Sequence, residues 1–436
     1  MFSIARARNV GARASKTRLL FFNDVDCFGV ADFYERLAAH AQDIEMGSYL
    51  EQVINLPVYH LAEADTRGVW ARTPHERGPA LSRTMARMTY RPFETREHAF
   101  VDPSSNFFVI RRDFFELVGG YNEEFRGHGS EDFEFFLRLA HFTTQFPMPR
   151  VPAENLYSPM HASFFGYKTY RGFRRYMELM AQQAECAGLR IAHLNHPRGQ
   201  GSWYSEGDRQ KTKLAQEVNG FLARPSALIE RDWLPREKHG LVLLKHERQY
   251  QYFLPLRLLG FRLHLMLLVD PASEERAASL LTQPGIDRVF VFNPYMGSHK
   301  GLSPWVARAR AAGIPVTVVD RGMLPESWFF AEDMPYGDSE YERLDLDAVS
   351  LTDDELAVAD EYARQLRKGG ATLEPNGDFE ATLRQRADEK GWDRTVLVPL
   401  QVPDDVAVTH FNAQHQPYAD FVGSIDEVAR QHPRTR

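Results

Sequence analysis

The chain has 436 residues, which at roughly 150 residues per domain predicts two or three domains. Lys and Arg number 52 against 59 Asp and Glu, a net charge of −7, so it lacks both the basic footprint of a nucleic-acid binder and the one-signed excess of a solvating disordered chain. Hydrophobic residues make up 43%, enough for packed cores.

Two cysteines, Cys27 and Cys186, provide neither a disulfide framework nor a CxxC zinc site, and a reducing, cytoplasmic setting is expected. The most apolar stretch, 252–269, is broken by Arg257, Arg262 and His264, so no membrane-spanning helix is expected. Arg6, Arg8, Arg13, Lys16 and Arg18 precede the first acid, Asp24, a bias shared with mitochondrial leaders. These residues run straight into an apolar strand bearing candidate chemistry, which argues against a cleaved leader.

In chain order, 18–23 (RLLFFN) reads as a buried strand, followed by Asp24-Val25-Asp26 and a helical pattern over about 31–41. Between 102 and 139 come a Pro-Ser-Ser loop, a strand at 107–110, a short helix around Phe114, a break at Gly119-Gly120 and a helix opening at Ser130. Residues 170–187 read as a helix with Tyr170, Phe173, Met177 and Met180 on one packing face. The stretch 196–237 is richer in Gly, Pro and charge and reads as a linker or bridging helical segment. Beyond it, apolar runs at 241–245, 263–270, 289–293, 314–320 and 395–401 mostly alternate with helical stretches, as in a doubly wound parallel sheet buried on both faces. The domains are therefore placed at 1–195 and 238–436, with 196–237 between them.

Asp24 and Asp26 close an apolar strand, where a period of two puts both carboxylates on one side, able to share a hard divalent cation. Taken alone, an Asp-x-Asp is more often a pair of solvated loop acids. Its surroundings are more specific. Arg8-Asn9-Val10-Gly11 lies upstream, and the run Gly119-Gly120-Tyr121-Asn122-Glu123-Glu124-Phe125-Arg126-Gly127-His128-Gly129-Ser130-Glu131-Asp132 lies about a hundred residues downstream.

Together these resemble the family-2-like and galactosyltransferase-type inverting glycosyltransferases of the GT-A fold, over roughly residues 1–165. The resemblance implies a turn at Arg8–Gly11 holding the donor through Arg8, Asn9 and Gly11. It implies a Mn2+ (or Mg2+) site at Asp24 and Asp26, completed by His161, and Asp132 as general base with Glu131 positioning acceptor or base. It also implies an acceptor contact at Gly127, His128 and Gly129. His128 stands where relatives carry a tryptophan that stacks on the acceptor, so acceptor binding is expected to differ. Glu131 and Asp132 also suit the first turn of a helix behind a Ser130 cap, and both roles can hold together. His161 could equally be an ordinary surface or core histidine.

The later stretch Asp320–Trp328, with Asn293 at a neighbouring strand end and Val398-Pro399-Leu400-Gln401, resembles the capsule polysaccharide biosynthesis proteins. That implies a GT-B-like Rossmann domain with a candidate ligand site at Asn293, Asp320, Arg321, Gly322 and Gln401. Gly322 could instead simply turn the chain after a strand.

The expected fold is thus α/β: a partial GT-A domain with a Rossmann-like mixed sheet, then a doubly wound GT-B-like domain. Both halves are expected to be incomplete, the first lacking its N-terminal nucleotide-binding strands. The expected activity is transfer of a hexose-type sugar from a nucleotide donor, UDP in the first place, to a growing surface or capsular glycan, free or lipid-linked, in the cytoplasm or at the inner membrane face. The rival expectation is a non-catalytic remnant that folds and associates. An apolar sheet edge at 18–23 is expected to favour self-association.

Overall fold

The computed structural model describes residues 3–30, 32–88, 100–102, 106–127, 129–142, 174–197, 207–223, 230–322, 328–332, 345–368, 385–386, 388–389, 398, 400–409 and 416–432. The chain forms two compact units, Met1–Arg236 with Arg257–Leu259, and Glu237–Leu256 with Gly260–Arg436.

The first unit opens with helix α1 (Ile4–Ala14), whose first turn is capped where the Arg6 backbone N–H donates to Ser3 Oγ at 3.3 Å. Arg8, Asn9 and Gly11 lie inside this helix and not in the expected turn. Their neighbours are good helix formers, and one exposed Gly costs only about 1 kcal/mol, too little to break the helix. Strand β1 (Leu19–Phe22) follows as expected, then β2 (Cys27–Gly29), which no pattern announced. Next come α2 (Phe33–Asp43), β3 (Val53–Asn55), β4 (Val58–His60), α3 (Glu63–Trp70), α4 (Pro74–Ala86), β5 (Phe100–Asp102), β6 (Phe108–Arg111), α5 (Arg112–Val118), α6 (Glu131–Phe142), α7 (Arg174–Cys186), β7 (Ile191–His193) and α8 (Gly207–Ala223).

These strands form two sheets, ordered β1-β6-β3 and β2-β7-β4-β5. β6 runs antiparallel to both of its neighbours, and β1 takes the sheet edge among the described strands. Alternation sorts the first sheet's side chains. Leu20, Phe22, Phe108 and Ile110 join α1, α5 and α6 in one core, while Leu19, Phe21, Ile54 and Val109 face a second core with Phe33, Leu37 and Ala184. The stretch expected as a linker contributes to the first core: Leu214, Val218 and Phe221 of α8, with Leu234 beyond it, are buried there. A helix with apolar residues at i, i+4 and i+7 has a face to bury, and Gly-rich flanks do not detach it.

One buried arginine fixes the connection between α5 and α6. Gly119 and Gly120 take φ of 88° and 68°, and a Cβ on Gly119 would stand 2.5 Å from the Arg231 carbonyl oxygen. The fully buried Arg138 donates to the Val118 and Gly120 carbonyl oxygens at 2.5 and 2.6 Å and to both carboxylate oxygens of Glu134 at 2.8 and 2.9 Å. Trp233 covers the guanidinium at 4.6 Å. The carbonyls left open at the end of α5 thus find donors without water.

In the second unit, β8 (Lys238–Leu244), β9 (Phe261–Leu267), β10 (Arg288–Phe292), β11 (Val316–Arg321) and β12 (Trp328–Ala331) form one sheet ordered β12-β11-β10-β8-β9. The first four are mutually parallel and β12 pairs antiparallel at the edge. Helices α9 (Pro271–Thr282) and α10 (Ser303–Ala311) cover Leu241, Leu243, Val289, Val291 and Val318, while Phe253, Leu256, Phe290 and Val319 pack on the other face. This is the expected doubly wound arrangement. The run at 395–401 lies mostly outside the described residues, and Val398, Leu400 and Gln401 are exposed and non-strand. Among the described residues no helix is long and apolar enough to cross a membrane.

Replacing Arg138 with Met should destabilise the first unit by about 3–5 kcal/mol, because Glu134 and two carbonyls lose their partner inside the core. Replacing Arg67, exposed and paired with Glu63, should cost under about 1 kcal/mol. Urea unfolding of the two variants checks the contrast.

Candidate active site and metal centre

Arg8 brings three separated segments together. From α1 its side chain, 10% exposed, donates to Asp24 Oδ1 and to Glu131 Oε1, each at 3.2 Å, with the Tyr121 ring 5.2 Å from its Cζ. Burial opposes its charge, but Tyr121, Glu131, Asp24 and Asp132 around it carry the balance the other way and raise its pKa. The next residue, Asn9, is fully buried and clamps the glycine-rich run. Its amide donates to the Tyr121 carbonyl and to Glu123 Oε1, both at 2.9 Å, and its oxygen accepts from the Tyr121 N–H at 2.8 Å. Asn9 therefore positions the loop, and its polar atoms are taken up within the protein and not turned to a donor. Gly11 lies exposed on α1.

The turn before α6 holds three left-handed residues in close succession, Gly127 (φ 98°), Gly129 (φ 90°) and Ser130 (φ 76°). For a serine this is strained backbone, worth of order 1–3 kcal/mol, and not the extended geometry of an ordinary cap. It delivers Glu131 and Asp132 to the first turn of α6. Burial first, then the neighbouring Asp132, pushes the Glu131 carboxyl up to about 7 against the pull of Arg8. Asp132 Oδ1 is buried and has no hydrogen-bond partner among the described residues. His128 lies outside the described residues.

Asp26 faces a different set of groups. Its Oδ2 lies 3.0 Å from His196 Nε2 and 3.4 Å from His193 Nε2, and Cys27 Sγ donates to Oδ1 at 3.5 Å. The ligating atoms of Asp26, Cys27 and His193 lie within 4.8 Å of one another. Strand register assembles the group: His193 of β7 sits opposite Cys27 of β2 and beside His60 of β4, whose ring is 4.6 Å away. The hydrogen bond from His193, helped by its charge, holds the Asp26 carboxyl well below the usual carboxylate range despite its burial. Burial, with the Asp26 and Asp24 charges, pushes the Cys27 thiol above its ordinary range.

The two acids of the Asp-x-Asp thus diverge, Asp24 to Arg8 and Asp26 to the histidines. Strand geometry ends at Phe22, and the Cys27 N–H closes a turn onto the Asp24 carbonyl at 3.2 Å, so the period of two does not reach these residues. His161, the expected third ligand, lies outside the described residues. Among the described residues, His193 and His196, in an H-x-x-H spacing, are the histidines beside Asp26. A carboxylate with imidazole nitrogens beside it is a donor set able to hold a divalent cation.

In the second unit Asn293 follows β10 and donates to Asp320 Oδ2 of β11 at 2.8 Å, while Asp320 Oδ1 accepts the Arg321 N–H at 2.7 Å. Burial raises the Asp320 pKa. Gly322 is buried beside this pair, Arg321 and Gln401 are exposed, and the Gln401 carbonyl accepts from Tyr418 Oη. The carboxyl ends of the parallel strands thus bring together Asn293 and Asp320 of the expected set.

The family described as glycosyltransferase like family 2 matches residues 1–219, which hold every residue of the Arg8 and Asp26 clusters. The chain belongs to that family. No curated protein matches it. A glycosyltransferase of this family takes a nucleotide-sugar donor and a glycan acceptor and typically uses a divalent cation, and the Asp26 cluster supplies donors fit to hold one.

Glu131 gives a signed pH dependence. Its carboxyl lies above its ordinary 4.5 in the folded glycosyltransferase, so between 4.5 and about 7 the folded state binds the extra proton. The stability this lends is full below the lower value and lost as pH rises through the upper one. Glu131→Gln keeps an acceptor for Arg8 without the charge. Its stability relative to the native chain should rise by roughly 1–3 kcal/mol from pH 5 to pH 8, at about 1.4 kcal/mol per unit. Thermal unfolding at the two pH values measures it, and an unchanged difference would place the Glu131 pKa elsewhere.

Proposed function

We propose that the first unit is an inverting transferase that moves a hexose-type sugar from UDP to a growing surface or capsular glycan, free or lipid-linked, at the cytoplasmic face of the membrane. The observation that carries this reading is the buried, unpartnered Oδ1 of Asp132 beside the Glu131–Arg8–Asp24 network. A carboxylate oxygen withdrawn from water without a partner is costly, and an acceptor hydroxyl would supply the missing donor.

In this mechanism Asp132 takes the proton from the acceptor hydroxyl. The oxygen forms the new bond to the anomeric carbon on the face opposite UDP, whose own bond to that carbon breaks, and configuration inverts. Glu131, tethered by Arg8, holds the start of α6 in place. The strained turn with Gly127 and Gly129 borders the acceptor. Asp26 with His193 and His196 would hold Mn2+ (or Mg2+), which when bound offsets the charge on the leaving diphosphate. Asp24, paired with Arg8, fixes the loop that carries Asp26. The second unit is read as the GT-B-like, capsule-biosynthesis-type partner, with the Asn293–Asp320 pair at its ligand edge.

Asp132→Asn should lower turnover with a UDP-sugar by about 10²–10⁴-fold, the usual share of a general base, while calorimetric Mn2+ binding stays unchanged. Asp26→Ala and His196→Ala should each weaken Mn2+ binding at least tenfold. Undiminished turnover in Asp132→Asn would move the base to another group, and undiminished Mn2+ affinity in Asp26→Ala would move the cation.

A further inference from the structure

We propose that a groove between α1 and α8 holds the glycan acceptor and selects a sugar bearing a carboxylate, a uronate. This rests on the transferase reading above and extends it to the acceptor's chemistry. Two cavities of about 680 and 650 Å³ share Glu124 and Arg126 in their walls. Ser3 and Arg6 of the α1 segment line one; Arg209, Gln210 and Lys213 of α8 line the other. Arg6 lies about 200° round α1 from Arg8 at 100° per residue, so the helix presents one arginine to the Glu131 network and another to the groove.

Four basic side chains, Arg6, Arg126, Arg209 and Lys213, line the groove with two acids, Glu123 and Glu124. Glu124 is paired with Lys213, and Glu123 accepts from Asn9. Arg6 and Arg126 are exposed and have no carboxylate partner among the described residues. A guanidinium matches a carboxylate with two parallel hydrogen bonds, which a neutral sugar cannot reciprocate.

A second, independent feature asks for a hydroxyl. Gln210 is 4% exposed, and its Nε2 donates to the Arg126 carbonyl oxygen, which fixes the orientation of the amide. Its Oε1 is buried with no hydrogen-bond partner among the described residues. It is an acceptor held ready for a donor, and a ring hydroxyl is one. Anionic group and hydroxyl together describe a sugar acid.

Position links the groove to the chemistry. Arg126 directly precedes Gly127, and Ser3 forms a parallel bridge with Gly127 while its Oγ donates to the Phe125 carbonyl at 3.1 Å. The groove wall therefore continues into the strained turn that delivers Asp132.

The test is calorimetry on the full chain. The probes are a tetrasaccharide of alternating glucuronate and N-acetylglucosamine, its methyl ester and inorganic phosphate. The acid form should bind at least tenfold more tightly than the ester, and Arg126→Gln and Arg6→Gln should each weaken it at least fivefold without changing Mn2+ affinity or Tm. Equal binding of acid and ester would overturn the proposal, as would phosphate displacing the tetrasaccharide at equal concentration, which would mark a plain anion site. If the tetrasaccharide fails to bind while Mn2+ binds and a UDP-sugar is still consumed, the groove proposal falls and the transferase reading stands. If it binds while Asp132→Asn leaves turnover intact, the groove proposal stands and the base assignment falls.

Discussion

The site depends on one buried guanidinium held between two carboxylates. Arg8 pairs with Asp24 and Glu131 at the same 3.2 Å, and those residues come from a loop and a helix more than a hundred positions apart in sequence. A charge withdrawn from water is tolerated only with its partners in place, so the network is all or nothing. Its geometry also requires the planar fork. A lysine ammonium could neutralise one carboxylate, but it could not span both with fixed directions. Around Arg8 the backbone is held by other polar clamps. Asn9 fixes the Tyr121 peptide and Arg138 caps the end of α5. Among the described residues from Gly119 to Ser130 five are left-handed, which carry little helical or strand bonding of their own, and side chains from elsewhere hold the backbone around Tyr121.

The parts of this fold that sequence reasoning reached share a strong local signal. β1, β6 and α5 have apolar periodicity and a Gly-Gly stop. The parallel strands of the second unit are continuous runs of Val, Leu and Phe, which only a sheet covered on both faces accommodates. The parts it did not reach depend on distant partners. β2 is three residues long and exists because β7, more than 160 residues away, lies beside it. α8 lies in a stretch that reads as a linker or bridging helical segment because its flanks are polar, and its apolar face completes the core of the first unit. Arg8, Asn9 and Gly11 were placed in a turn because the resemblance offered a motif, while the local residues favour a helix.

The site shows the same division. The place of Glu131 and Asp132 in the first turn of a helix is legible from the long motif. The separation of Asp24 from Asp26 was not, because alternation was extended past the last hydrogen-bonded residue of β1 into a turn. His193 and His196 reach Asp26 through the β2–β7 register, a tertiary fact. An H-x-x-H spacing on its own is too common to select them.

The electrostatics of the two clusters oppose one another, and that opposition organises the site. Asp26, beside His193, is held well below the ordinary carboxylate range, which suits a ligand for a cation. Glu131, buried next to Asp132, is pushed up to about 7. Two acids adjacent in sequence cannot both stay ionised cheaply in a buried place. Arg8 opposes this shift: burial and then the neighbouring Asp132 push the Glu131 carboxyl up, and the guanidinium pulls it back down.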